Sequence, residues 1–142
     1  MNEKLLMSIK TKYANQIFDG TKKYEFRRKS IGSKNCNKKI YIYSSEEEKA
    51  IVGYIIVDKI LEGNLNYILK ETNYLNSKDI IEYFDGCDIC YALHISETHR
   101  FSTPIKLKDI KINYEKFVVP QFYRYLKINE PIYEKLESRK MR

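Results

Sequence analysis

The run Ala50 to Val57 is apolar at almost every position, the pattern of a central strand buried on both faces rather than one with a face in water. Such a strand needs cover on each side of its sheet, which restricts the chain to architectures that pack helices or a second layer against it. Gly53, inside the run, marks a bulge or a close backbone approach.

Shorter strands and helices surround that run. Leu5, Leu6, Met7 and Ile9 form a strand; Thr11 then caps a helix carrying Tyr13, Ala14, Ile17 and Phe18, and Gly20 stops it where a left-handed residue is needed. From Lys23 to Arg28 the residues alternate, with Tyr24, Phe26 and Arg28 on one side and Lys23, Glu25 and Arg27 on the other, as in a half-buried strand. Ile40 to Tyr43 is a further strand, with Tyr41 and Tyr43 on one face, available to a core or to base stacking. Ser77 caps a helix over Lys78 to Phe84, and Ile89, Tyr91, Leu93 and Ile95 alternate as another strand that Thr103-Pro104 breaks, leaving a short strand around Ile105 and Leu107. Pro120 opens a helix through Leu126 that sets Gln121, Arg124 and Tyr125 on one face, and Asn129 with Pro131 begins a last basic helix. No repeat or linker interrupts residues 1–142, which read as one strand-rich α+β domain.

Charge narrows the function classes. The net charge is +7, and between Gly20 and Ile40 eight cations, Lys22, Lys23, Arg27, Arg28, Lys29, Lys34, Lys38 and Lys39, stand against Glu25 alone. That segment carries the whole excess, which suits a polyanionic partner. With no Trp and 13 Tyr, stacking on a base falls to Tyr and Phe. The longest apolar run is far short of a bilayer span, and the opening residues lead into no signal-peptide pattern, so a cytoplasmic protein is expected, with no membrane partner. Three cysteines, an odd number, argue against a disulfide framework. Cys87, Cys90, His94 and His99 have ligand types loosely at zinc-knuckle spacing, but a strand through Cys90 and His94 spreads them apart, so neither metal nor cofactor is expected. No Walker loop, dinucleotide fingerprint or nucleophile elbow is present.

The words around the basic segment resemble a known family. Ser8-Ile9-Lys10, Tyr13-Ala14, Ile17 and above all Gly20-Thr21-Lys22-Lys23-Tyr24-Glu25-Phe26-Arg27-Arg28 are similar to the signature of the ASCH domain, a relative of the PUA-like barrels. Ala50-Ile51-Val52-Gly53, Tyr91-Ala92-Leu93-His94-Ile95 and Pro120 to Leu126 fall where its members place similar blocks. The resemblance implies an α+β fold, a PUA-like small mixed β-barrel of about five to six strands flanked by short helices, with a cleft beside the first helix and second strand. Similar clefts bind RNA or modified nucleobases; fold alone does not decide between them.

Physical roles follow for residues near that cleft. Gly20 turns the chain so that Lys22 lies at the mouth of the next strand, exposed to meet a phosphate or a developing oxyanion. Glu25 and Arg27 point the same way, so Arg27 offers a planar fork that Glu25 orients, or the two form an internal ion pair. Tyr24 and Arg28 flank them, and Lys10, Ser8 and Ser44-Ser45 lie at strand ends that the resemblance brings near; Gln121 and Arg124 complete the expected set of ligand contacts. The expected function is binding of single-stranded RNA or a nucleotide-like ligand. Hydrolysis of RNA or a modified nucleoside, with Lys22 and Glu25 as catalytic residues, is the alternative. Relatives that hydrolyse acylated cytidine use a Lys matching Lys22 and a Thr whose position here is Glu25, so the nucleophile of that reaction is missing. A protein-interaction module for an acidic partner is a third class.

Overall fold

The computed structural model describes residues 3–142. Six strands, β1 (Lys4–Lys10), β2 (Tyr24–Arg27), β3 (Lys39–Ser45), β4 (Ala50–Gly63), β5 (Cys90–Lys106) and β6 (Tyr123–Leu126), make one mixed sheet in the order β2-β5-β4-β3-β1-β6. It curls into a half-barrel carrying five helices, α1 (Thr11–Phe18), α2 (Leu65–Thr72), α3 (Lys78–Tyr83), α4 (Leu107–Asn113) and α5 (Pro131–Glu137). The β1–β3 pair is parallel and every other pairing is antiparallel. The expected α+β class and small barrel-like sheet are therefore found.

The central run behaves as its composition requires. Ile51 packs into a core with Leu6, Tyr41 and Phe101 beneath α4 and α5, while Ala50, Val52, Ile55 and Val57 face a second core with Met7, Ile9 and Ile17 beneath α1. Strict alternation would send Val52 and Ile55 to opposite faces. A register shift between Ile51 and Gly53 resets the parity, so both reach the same core. At Gly53 the neighbouring strand comes so close that an added Cβ would lie 2.1 Å from the His99 carbonyl oxygen.

Several local expectations are corrected by tertiary context. Thr11 does not cap α1 from outside. Lys10 takes the cap position with no side-chain bond, and the Thr11 hydroxyl donates to the Ser45 carbonyl at 2.6 Å. Thr103-Pro104 does not break its strand: β5 runs through both to Lys106, and the Ser102 N–H just before them bonds the Lys140 carbonyl. Leu107 starts α4 rather than ending a strand. Leu65–Thr72, unassigned from sequence, is a helix capped by Asn64. The helix expected from Pro120 to Leu126 is instead β6: β1 has an open outer edge, and Tyr123–Leu126 pairs along it with Lys4 opposite Leu126 and Met7 opposite Tyr123. Aromatic residues suit that edge better than a helix interior.

Tyr41 and Tyr43 are both core residues; burial and the Glu137 carboxylate that accepts its hydroxyl push the Tyr41 phenol far above its ordinary range. Cys36, Cys87 and Cys90 are free thiols. Among the described residues no helix is long and apolar enough to cross a membrane.

Candidate functional site

The half-barrel does not close by strand pairing. β2 ends the sheet on one side and β1 with β6 on the other, and side chains span the seam between them. Arg27 Nη2 donates to the Ser8 carbonyl of β1 at 2.7 Å, and its guanidinium lies over the Phe122 ring at 4.6 Å. Ser8 is itself fixed, its N–H bonded to Phe122 O at 2.9 Å and its hydroxyl to Pro120 O at 2.6 Å. Where the seam opens, α1, β2, the end of β1 and the segment Tyr74–Tyr83 enclose a cleft of about 350 Å³, within the range of small-ligand sites.

The cleft floor is an ion-paired triad. Gly20, at φ +88°, takes the left-handed turn that sends the chain from α1 into β2. The Thr21 and Lys22 N–H groups both donate to the Gln16 carbonyl. This turn folds Lys22 inward: the residue is only 8% exposed and Glu25 only 6%. The exposed lysine expected from sequence is therefore corrected. Its ammonium donates to the Tyr24 carbonyl, lies 3.5 Å from Glu25 Oε1, and sits 4.8 Å from the Phe26 ring centroid and 5.7 Å from that of Tyr13. Glu25 Oε2 accepts from Arg27 Nε at 2.8 Å. Burial pushes the Lys22 pKa down, and the attraction of Glu25 offsets only part of that. Both Glu25 oxygens are engaged by cations, so this carboxylate positions its neighbours and is poorly placed to take a proton from a ligand.

Aromatic rings form the walls. Tyr13, Phe26, Tyr74 and Tyr83 line the cleft, and so do Gln16, Ser77 and Asp79. Four lining cations, Lys10, Lys12, Lys22 and Arg27, face two acids, Glu25 and Asp79. Lys12, Tyr13 and Gln16 were legible as one helical face of α1 at spacings of three and four, though the sequence reading did not select them. Tyr74 and Tyr83 come from a segment whose return to the seam left no local signal.

The other expected site residues disperse. Lys10 lines the cleft and pairs with Glu46 at 3.6 Å. Arg28 lies over Tyr83 at 4.6 Å, at the cleft's edge. Tyr24 contributes its carbonyl, while its ring packs on His94 and Phe26 outside the lining. Ser44 is fully buried, donating to Thr11 Oγ1 at 2.9 Å, and so is structural. Gln121 and Arg124 share no helical face with Tyr125, because this segment is extended; Arg124 instead forms a forked pair with Glu130 at 2.7 and 3.0 Å on another face. The Thr21 hydroxyl is held by Asp19 and the Gln16 carbonyl, outside the cleft lining. His94 bonds Asp58 at 2.6 Å and His99 bonds Glu97 at 2.9 Å, and no group of three or more potential metal ligands gathers among the described residues.

A curled six-stranded α+β half-barrel with a buried lysine-carboxylate-arginine triad at its open seam defines the class of protein. More closely, the chain belongs to the ASCH domain family, whose model matches residues 7–118. It is 26% identical over 128 residues, 88% of this chain and 85% of the relative, to an ASCH domain-containing ribonuclease of Zymomonas mobilis subsp. mobilis. The crystal structure of ASCH from Zymomonas mobilis superposes with a TM-score of 0.83 at 22% identity, over 99% of this chain and 98% of that one. A more distant fold neighbour is the human THYN1 protein, solved in complex with 5-methylcytosine-containing DNA, with a TM-score of 0.54 at 11% identity, covering 95% and 96% of the two chains.

Proposed function

We propose that the seam cleft binds single-stranded RNA, seating one nucleotide with its base against the aromatic walls and its phosphate toward Lys22 and Lys12. The observation that carries this reading is the desolvated Lys22 ammonium at the floor of a cleft walled by Tyr13, Phe26, Tyr74 and Tyr83. An ammonium has three donors; two meet Tyr24 O and Glu25, and the third is left for a ligand oxygen. Stripped of water, it attracts a phosphate more strongly than a surface lysine does, and flat rings stack on any base. The nucleic-acid chemistry named for two relatives supports the same class of ligand.

Cleavage of the bound RNA is the second reading, favoured by the lowered proton affinity of Lys22 and by the relative named as a ribonuclease. In that reaction the 2′-hydroxyl attacks the adjacent phosphorus and loses its proton to water, and the 5′-oxygen leaves with a proton from solvent. Charge building on the phosphorane oxygens is met by the Lys22 ammonium. Glu25, itself held by Arg27, positions that ammonium.

The test is fluorescence anisotropy with a labelled single-stranded RNA across a salt series, with product separation on a gel. Affinity should fall as salt rises, by about 0.7 log units per log unit of salt for each phosphate contact. Lys22→Met should weaken binding and remove any cleavage. A flat salt titration, or binding indifferent to Lys22→Met, would overturn the reading.

A further inference from the structure

Half of the eight cations that made residues 20–40 conspicuous are ion-paired in the fold: Lys22 and Arg27 with Glu25, Lys38 with Glu3 and Lys39 with Glu137. A different set is not. Lys135, Arg139 and Lys140 line a depression of about 480 Å³ with Ser102, Thr103 and Ser138, and no acid lines it. None of the three forms an ion pair among the described residues, whereas the nearby acid Glu137 turns inward to Tyr41, Lys4 and Lys39.

These cations are held rather than trailing. Ser102 N–H donates to the Lys140 carbonyl at 2.9 Å, Phe101 bridges to Met141, and Arg142 N–H donates to the Arg100 carbonyl at 2.9 Å, so residues 140–142 run as an extra edge beside β5. Arg139 reaches across that edge to the Thr103 carbonyl at 2.9 Å and the Pro104 carbonyl at 3.3 Å. A route back to the cleft exists along the same edge. The Arg100 guanidinium lies over the Phe18 ring at 5.1 Å, and Phe18 ends the helix whose other residues Lys12, Tyr13 and Gln16 line the cleft. Helix rise and strand rise put the two depressions about 25 Å apart along this path, a span within single-strand site sizes of several nucleotides.

We propose that the Lys135–Lys140 depression is a second RNA contact, a phosphate-binding track that takes the strand leaving the cleft by way of Arg100. The proposal rests on the RNA reading of the cleft and adds length-dependence to it. Arg139 fixes the shape of the track, and Lys135 and Lys140 meet the phosphates.

The test compares a four-nucleotide and a sixteen-nucleotide single-stranded RNA against wild type and the double variant Lys135→Gln with Lys140→Gln, with thermal melts to verify folding. The double variant should bind the short RNA as wild type does and the long RNA several-fold more weakly, its salt slope reduced by about 1.4, two contacts at about 0.7 each. Unchanged affinity and slope for the long RNA would overturn the track and leave the cleft reading standing. Long-RNA binding that the double variant loses, with no short-RNA binding by wild type, would overturn the cleft reading and with it a track fed from the cleft. Wild type that binds neither RNA would overturn both.

Discussion

The Glu25 carboxylate meets the Arg27 guanidinium at 2.8 Å across two residues of one strand, and through that contact the two ends of an open sheet are joined, because the same guanidinium reaches Ser8 of β1. Glu25→Ala leaves the buried Lys22 and the half-buried Arg27 without their shared counter-ion. Loss of one partner from such a group costs roughly 3–5 kcal/mol. Urea unfolding should show a lower midpoint with an unchanged slope; a midpoint equal to wild type would mean the seam is held by other contacts.

Lys22 should separate stability from function. Its folded-state pKa lies below the ordinary 10.5 because burial disfavours the charge. The penalty is therefore fully present below the lowered folded-state pKa and is relieved as pH rises from there toward 10.5. Lys22→Met keeps the apolar stem and removes the buried charge, so it should be at least as stable as wild type at pH 7, with any advantage shrinking toward pH 10.5, while RNA affinity falls by roughly 1.5–3 kcal/mol. Paired chemical-denaturation series for the two proteins across that range read the sign directly.

How much of this was visible beforehand differs by element. The strand-helix-glycine-strand opening was legible because each step has a local cause: apolar alternation, the Gly20 stop and the renewed alternation through Phe26. The same residues announced that Glu25 and Arg27 share a direction. That Lys22 is buried was not legible, since it depends on Tyr13 and Phe26 closing over it from two elements. β6 looks helical in sequence because Pro120 is a good helix opener and Gln121, Arg124 and Tyr125 have helical spacing; the deciding fact, an open edge on β1, lies more than a hundred residues away. The charge excess of residues 20–40 was real in sequence, but Glu3 and Glu137 engage part of it in space.

Gly53 admits no side chain. A Cβ there would stand 2.1 Å from the His99 carbonyl oxygen and 2.8 Å from the Arg100 Cα, both backbone atoms of the paired strand. Gly53→Ala must push β4 and β5 apart, and overpacking of this kind costs about 1–3 kcal/mol or more. A lowered thermal midpoint is expected, and one within experimental error of wild type would contradict the close approach.

The Arg124–Glu130 fork should mark the acid limb of stability. Burial acts to raise the Glu130 pKa, but the hydrogen bonds from Arg124 and the Lys127 N–H outweigh it and hold the carboxyl below its ordinary 4.5. A depressed carboxyl stabilises above its unfolded value and loses that contribution as pH falls through the folded one. Glu130→Gln should cost roughly 1.5–3 kcal/mol at pH 7, and its gap from wild type should close below pH 4.5. A gap constant from pH 7 to pH 3 would show that the carboxylate charge is not what stabilises the fork.

The sheet order places β1 between β3 and β6, with Lys4 opposite Leu126. On a ribosome, then, β1 emerges more than a hundred residues before the strand that pairs along its outer edge. Until residues 123–126 emerge, β1 keeps a bare apolar edge of the kind that pairs with other chains, and the seam cannot be set because the Pro120 and Phe122 carbonyls that fix Ser8 do not yet exist. A nascent chain stalled short of Tyr123 should therefore be prone to aggregate, and the seam cleft takes its shape only once that strand has been made.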